Sequence, residues 1–222
     1  MAEKSEFDKM VDGVEDVDPS EDEVQTGIQL ANFQASLDLG SEDLMIPRLR
    51  LMQGLSTEVQ DGSASPGQWV LSGYDPQDAV TYVPLLFARN RTLRDEEGSI
   101  LCRSRDAKTG EGEPGGNCDE CIMNKWIENE KGPNTPPKCA FSYVYIGYVP
   151  EFESIALVEF RRTSINAGKM LNTVSAQRGL GNFAVKLKTS KQTGKRGTFY
   201  QAVVQPTPVE EETLVRARTS LG

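Results

Sequence analysis

The chain contains no histidine among its 222 residues. This absence excludes a Ser-His-Asp triad, a Cys-His pair, a His-ligated metal site and a histidine general base. No apolar run approaches the roughly 18–20 residues that span a membrane. The N-terminal segment that begins Met1-Ala2-Glu3-Lys4 is acidic and has no apolar stretch of the kind that directs secretion. We therefore expect a cytoplasmic protein without membrane association and without enzymatic activity.

Negative charge is concentrated near the N-terminus. Residues 1–43 hold 13 of the 33 acidic residues and only two lysines, a net charge of −11, whereas the remaining residues carry +2. The run 12–23 contains seven acids and no aromatic residue, so it cannot bury enough apolar surface to offset the entropy of ordering. We predict a largely disordered acidic arm over 1–43, with a short helix at 27–39. The arm either solubilises the protein, docks a replication or transcription protein, or competes with nucleic acid for a basic groove.

Short apolar runs separated by Gly, Pro, Asn and Asp indicate a β-rich body over residues 44–206. The segments predicted to be strands are 68–71, 79–88, 99–103, 140–149, 155–160, 183–187 and 199–204. One helix is predicted to begin after a cap at Thr163-Ser164 and to end at Gly179 or Gly181, and a shorter one covers about 209–218 within a C-terminal segment, 207–222. Short strands around one internal helix predict a mainly β fold (β-rich α+β), an OB-like small barrel. Pro84 inside the second segment predicts an edge strand or a bulge.

Four cysteines form the most specific motif, Cys102-x15-Cys118-x2-Cys121-x17-Cys139. The outer two lie at predicted strand ends and the inner two lie in the loop between them. Four sulfur ligands suit tetrahedral Zn²⁺, and this chain has no histidine to offer instead. We therefore predict a structural zinc site that staples the loop 102–139 and leaves no coordination position open for catalysis. Disulfides and free core thiols are the alternatives, of which a reducing compartment disfavours disulfides.

Basic clusters alternate with aromatic residues in the body. Lysine and arginine can follow phosphates while aromatic rings stack bases, which is what single-strand binding requires. The candidate phosphate contacts are Arg89, Arg91, Arg103, Arg105, Lys186, Lys188, Lys195 and Arg196. The candidate stacking residues are Phe141, Tyr143 and Tyr145. Aromatic residues at a period of two are also typical of a strand core, and a basic hairpin is also typical of a solvated turn, so both interpretations stay open.

Several segments resemble a group of bacteriophage single-stranded DNA-binding proteins over about residues 44–204. The resemblance lies in Ile46–Val59, Pro66-Gly67, Gly116–Cys121, Trp126, Pro136–Cys139 and the helix start Thr163-Ser164. It implies an OB-fold core with a zinc site, as in T4-type phage single-strand binders, and a place in the host cytoplasm. The chain departs from this pattern in two respects. T4-type zinc sites include a histidine, and the acidic tail of single-strand binders usually lies at the C-terminus.

The function predicted from these features is non-sequence-specific binding of single-stranded DNA in phage replication or recombination. The alternative is a non-enzymatic, zinc-containing protein-interaction module that binds a polymerase, a virion component or a host factor, with an acidic arm that mimics DNA. A metal hydrolase is a third hypothesis, which is disfavoured because a closed four-cysteine site keeps no water ligand.

Overall fold

Strands dominate the computed structural model, which describes residues 45–129, 134–194 and 197–220. The strands are β1 (Leu49–Leu51), β2 (Trp69–Leu71), β3 (Val80–Arg94), β4 (Ile100–Ser104), β5 (Thr109–Gly112), β6 (Gly116–Asn117), β7 (Ala140–Val149), β8 (Ser154–Arg161), β9 (Ala184–Gly194) and β10 (Gly197–Thr207). The α-helices are α1 (Thr57–Gln60), α2 (Ile165–Arg178) and α3 (Glu211–Thr219), and short 3₁₀ turns lie at Ile122–Asn124, Pro150–Phe152 and Arg162–Ser164. The predicted acidic arm and its helix at 27–39 lie outside the described residues.

Eight of the strands form one sheet around the long central strand β3, and β1 pairs separately with β2. One edge of β3 pairs with β9 near its start and with β4 near its end, while the other edge pairs with β7. β8 continues the sheet beyond β7, and β10 continues it beyond β9. The resulting order is β8-β7-β3-β9-β10, with β4, β5 and β6 following at the far end of β3. The predicted mainly β fold is confirmed.

The eight-stranded sheet of the described residues does not close into a barrel, so the predicted OB-like barrel is not confirmed. The open position lies between β8 and β10, where the described residues just before and just after β1 make isolated contacts. The Leu157 N–H donates to the Pro47 carbonyl at 2.8 Å. The Gln53 side-chain amide then bonds both the N–H and the carbonyl of Tyr200, each at 2.9 Å. Between β8 and β10, these isolated hydrogen bonds of Pro47 and Gln53 therefore occur where a closed barrel would have a continuous backbone ladder.

Pro84 lies inside the central strand rather than on an edge strand. The pairing of β3 with β7 shifts in register between Pro84 and Leu86, which is a bulge. A bulge tolerates proline because one residue of the bulged strand is left out of the ladder. Of the two interpretations of Pro84, the bulge is confirmed and the edge strand is wrong.

Helix α2 packs on the inner face of the sheet through Ala167, Leu171 and Val174, which are buried. Gly168 allows this close approach, because a Cβ there would lie 2.7 Å from Cδ2 of Tyr143 and 3.0 Å from Cβ of Phe160. The helix starts and stops as predicted, with Gly179 at its end adopting a φ of 75°.

The residue at the start of α2 differs in role from the prediction. The side chain of Ser164 makes no capping hydrogen bond to the helix. Its hydroxyl accepts instead from the N–H of Ala202 at 3.0 Å and so ties α2 to β10. The C-terminal helix α3 is also present and buries Leu214 and Ala217. Within the described part of the chain, no helix combines the length and the apolar character needed to cross a membrane.

Candidate nucleic-acid interface

The strand register brings aromatic and arginine side chains together on one face of β3 and β7. Phe87, Arg89 and Arg91 alternate along β3 and therefore share a face. They stand directly opposite Tyr145, Tyr143 and Phe141 of β7 respectively, as the antiparallel pairing requires. We name the accessible part of this arrangement the aromatic strip, which consists of Phe87, Arg89, Arg91, Phe141 and Tyr143.

The rings of the aromatic strip contact one another in sequence. The ring centroid of Tyr143 lies 6.1 Å from that of Phe87 and 4.9 Å from that of Phe141, the latter pair being edge to face at 88°. The guanidinium carbon of Arg89 lies 5.9 Å from the Phe87 centroid, and that of Arg91 lies 5.2 Å from the Phe141 centroid. Both arginines are thus within the range of cation–π contact.

Helix α2 decides which of these rings reach solvent. It covers Tyr145, which is 1% exposed and donates its hydroxyl to Oδ1 of Asn172. Tyr143 is half-buried because Gly168 of α2 packs against one side of its ring. Phe87 is 39% exposed, an unusual state for a large apolar side chain in a central strand. The stacking role predicted for Tyr145 is therefore wrong, because Tyr145 is a core residue.

The two arginines of the aromatic strip are held differently. Arg91 is half-buried, and its guanidinium donates to the Ala107 carbonyl at 3.3 Å and to Oδ1 of Asn124. The Arg89 side chain is exposed, and no hydrogen bond or ion pair joins its guanidinium to any residue that the structure describes. Arg91 therefore connects the aromatic strip to the loop 102–139, which we call the cysteine-containing loop. The positive charge of Arg89 is accessible to solvent.

The remaining basic candidates lie elsewhere. Arg103 and Arg105 are exposed at the end of β4, where Arg103 stands opposite Thr92 and so faces away from the strip. Lys186 and Lys188 lie on β9, near the other end of β3. Lys186 stands opposite Thr81, which lies eight residues before Arg89 on β3, up to about 26 Å of strand at about 3.3 Å per residue. Lys195 and Arg196 lie outside the described residues.

The two β9 lysines are already engaged. The Lys186 ammonium donates to a Glu151 carboxylate oxygen at 2.9 Å and to the Thr81 hydroxyl at 3.1 Å. Burial alone would raise the pKa of Glu151, but the hydrogen bonds from Lys186 and Thr81 outweigh burial and hold that pKa below its usual value. Lys188 donates to the Gln205 amide oxygen at 2.9 Å. The structure therefore divides the described basic candidates among three places: the aromatic strip, the end of β4, and β9.

A second basic feature was not selected by the sequence analysis. A groove of about 530 Å³ runs between β1 and the end of β8. We name it the arginine groove after four of its lining residues, Arg48, Arg50, Arg161 and Arg162. These arginines come from two segments about 110 residues apart in the chain, so no local pattern in the sequence unites them.

The four cysteines line one small cavity, together with Leu93 and Met123 among others. All four are free thiols. No group of three or more His, Cys, Asp or Glu side chains among residues 45–129, 134–194 and 197–220 is arranged to hold a metal ion. The predicted structural zinc site at Cys102, Cys118, Cys121 and Cys139 is therefore wrong.

The free-thiol alternative fits this cavity. Burial raises the pKa of Cys139, the other three cysteines add to that effect, and the charge of Arg91 opposes it. A raised pKa keeps the thiol neutral, and a neutral cysteine packs as a small apolar side chain. The loop is positioned instead by backbone contacts, such as Cys118 N–H to the Lys108 carbonyl at 2.8 Å and Cys139 N–H to the Met123 carbonyl at 2.9 Å.

Comparison of the chain with models of protein families, with curated proteins and with solved structures finds no match in any of the three.

Proposed function

We propose that the protein binds single-stranded DNA without sequence specificity and that the aromatic strip is the binding surface. The observation that carries this proposal is the exposed ring of Phe87, flanked by the exposed guanidinium of Arg89 and by the half-buried ring of Tyr143. Bases stack on aromatic rings, and phosphates are attracted to arginine. The aromatic strip offers both kinds of contact side by side.

The strip favours a single strand over a duplex for a geometric reason. Base faces are accessible only when a strand is unpaired, and ring stacking accepts every base because each has a π-face. Each stacked base contributes about 1–3 kcal/mol to binding in such sites. Phe87, Tyr143 and Phe141 follow one another across two strands, so successive bases have successive rings to meet.

The sheet order supports the same function through fold analogy. We infer that β3, β7, β8, β9 and β10 form an open OB-like arrangement, with α2 inserted between the third and fourth of these strands. OB-folds bind oligonucleotides across their second and third strands and through the loop that follows the first strand. In this assignment the second strand is β7, which carries Phe141 and Tyr143. The loop after the first strand contains the cysteines.

A role in phage DNA replication or recombination follows from non-specific single-strand binding together with the sequence resemblance. Such a protein covers transiently unpaired strands and needs no catalytic group. No metal is required for this function, because the aromatic strip consists of protein side chains alone.

The test is a titration of a fluorescently labelled oligo-dT with the full-length protein, followed by anisotropy over a series of salt concentrations. We expect tight binding that weakens with salt, and weak binding of a duplex of the same length. Replacing Phe87 by alanine should weaken oligo-dT binding roughly tenfold, the loss of one stacked base at about 1.4 kcal/mol. Leu86→Ala is the matched control, because Leu86 is 49% exposed on the neighbouring position of β3 and points to the opposite face.

Equal affinity of the Phe87→Ala and Leu86→Ala variants for oligo-dT would show that the aromatic strip is not the binding surface. A wild-type protein that binds no oligo-dT even at low salt would contradict single-strand binding itself.

The protein-interaction module remains a second candidate, because one observation favours it. Ile122, Trp126 and Ile127 lie within the cysteine-containing loop and are 75%, 62% and 52% exposed. Several large apolar side chains exposed within one short segment are typical of protein-binding surfaces. Absence of DNA binding in the titration above would favour this candidate.

A further inference from the structure

The most exposed aromatic side chain of the described residues lies in the cysteine-containing loop. Trp126 is 62% exposed, compared with 39% for Phe87 of the aromatic strip and 44% for Tyr74. The Tyr74 ring already packs against Phe152, with ring centroids 4.7 Å apart. The Trp126 ring makes no aromatic or cation–π contact with any residue that the structure describes. An indole is large and mostly apolar, so this ring is available to a ligand that presents another ring.

Trp126 lies close along the chain to the Phe141 end of the aromatic strip. Arg91, which stands opposite Phe141 in the strand pairing, donates from its guanidinium to Oδ1 of Asn124. Trp126 follows Asn124 by two residues, so their Cα atoms lie within about 7.6 Å of each other. The exposed indole is therefore attached to the same part of the loop that the strip holds through Arg91.

Hydrogen bonds hold the loop on both sides of Trp126. Before it, the side-chain amide of Asn124 donates to the Cys118 carbonyl at 2.9 Å. After it, the backbone of Ile127 pairs with that of Thr135 through two hydrogen bonds, at 2.9 and 3.0 Å. A side chain carried between two fixed points loses less conformational entropy when it binds a ligand.

The segment around Trp126 offers a ring and no excess of positive charge. Lys125 precedes it, Glu128 follows closely, and both are exposed, so their charges offset each other. A phosphate gains little here, whereas the face of a base can stack on the indole. The expected contribution of this segment is therefore stacking.

We propose that Trp126 is a further stacking residue of the single-stranded DNA site, and that the strand leaves the aromatic strip past Phe141 towards the cysteine-containing loop. This inference rests on the proposed single-strand binding, to which it adds a residue and a direction. It assigns the most exposed ring of the loop to nucleic acid, and a protein partner for that ring becomes an outcome of the test.

Trp126 can be observed directly, because the chain has only two tryptophans and the other, Trp69, is 2% exposed. Indole emission is quenched when a base stacks on the ring. Unlabelled oligo-dT should therefore quench the tryptophan emission of the full-length wild-type protein. The Trp126→Phe variant keeps a ring for stacking and leaves only Trp69 to emit. It should bind labelled oligo-dT with similar affinity by anisotropy and show little quenching.

The Trp126→Ala variant should bind labelled oligo-dT roughly tenfold more weakly, the loss of one stacked base. The slope of log affinity against log salt should stay the same, because the substitution removes no charge. Ile122→Ala is the matched control, since Ile122 is 75% exposed in the same loop. It should leave the affinity for oligo-dT unchanged, and urea denaturation should show all three variants folded.

Equal affinities of the Trp126→Ala and Ile122→Ala variants would overturn the inference and leave these exposed side chains to a protein partner. Wild-type emission that does not change at saturation with oligo-dT, or quenching that persists in the Trp126→Phe variant, would overturn it as well. These results differ from failure of the proposed function, in which the wild-type protein produces no anisotropy change with labelled oligo-dT even at low salt.

Discussion

The carboxylate of Asp106 stabilises the turn at residues 104–109, and this turn connects the aromatic strip to the cysteine-containing loop. Its carboxylate accepts from the N–H groups of Thr109 and Lys108, at 2.8 and 2.7 Å, and from the Ser104 hydroxyl at 2.8 Å. These hydrogen bonds, led by that from Thr109, lower the pKa of Asp106 from 3.8 to about 2. The turn also holds Ala107 at a φ of 61°, and the Ala107 carbonyl accepts from Arg91. One exposed acid thereby helps to position Arg91.

The depressed pKa predicts a pH dependence with a definite sign. A group with a lower pKa in the folded state contributes stability above its unfolded pKa and loses that contribution as the pH falls through the folded value. For Asp106 the loss should occur between about pH 3.8 and pH 2. Asp106→Asn keeps an acceptor oxygen but not the charge, so its free energy of unfolding should depend less on pH in this window. Urea denaturation of both proteins across the window measures the difference, and identical pH profiles would contradict the prediction.

For single residues, the sequence pattern predicted which face of a strand a side chain occupies, but it did not predict whether that side chain is exposed. The alternation of Phe141, Tyr143 and Tyr145 correctly placed them on one face of a strand. It could not tell which of them α2 would cover, because that depends on a helix that comes later in the chain. Phe87 belongs to the proposed site but was not among the predicted stacking residues, since an apolar strand pattern does not distinguish an exposed ring from a buried one.

At the scale of elements, the contact between α2 and the sheet depends on the absence of a side chain at Gly168. Alanine is favoured over glycine in a helix by about 1 kcal/mol. A Cβ at this position would nevertheless lie 2.7 Å from the Tyr143 ring, and such overpacking costs about 1–3 kcal/mol. We expect Gly168→Ala to lower the free energy of unfolding by about 1 kcal/mol net.

The control for this substitution is Lys169→Ala, at an exposed position of the same helix. Chemical denaturation should show the free energy of unfolding nearly unchanged, since lysine and alanine both favour helix and Lys169 is exposed. A Gly168→Ala variant that is as stable as this control, or more stable, would contradict the prediction. It would show that the close packing of α2 on Tyr143 does not exclude a side chain at residue 168.

Most elements were predictable, because each predicted strand segment carries its own apolar pattern and turn residues. The short strands β1, β5 and β6 were not predicted, since two to four residues give no readable period. The length of β3 was also underestimated. Its last residues, including Arg89, Arg91 and Arg94, lie beyond the predicted segment 79–88, and pairing with β7 and β4 makes them part of the strand.

At the scale of the whole molecule, two features depended on long-range geometry that the sequence pattern does not contain. Cysteine spacing is compatible with a zinc site, yet ligand geometry is set by how β4, the loop and β7 meet. Barrel closure likewise depends on whether β8 reaches β10. In the described residues that gap holds Gln53, whose amide binds Tyr200 in place of a paired strand.

The molecule as a whole then presents an acidic and a basic part. Residues 1–43 carry a net charge of −11, and the rest carries +2. The proposed binding surface is the aromatic strip, whose basic residues are Arg89 and Arg91. Its positive charge is therefore local, and the overall charge of −9 does not reveal it.

The most direct measurement of the central claim is photocrosslinking of the full-length protein to an iodouracil-substituted single strand, with the crosslinked peptides identified by mass spectrometry. Iodouracil reacts with aromatic side chains that stack on it, so the account predicts crosslinks at Phe87, Phe141 and Tyr143. Crosslinks confined to the β9–β10 hairpin, or none at all under conditions that saturate binding, would contradict it.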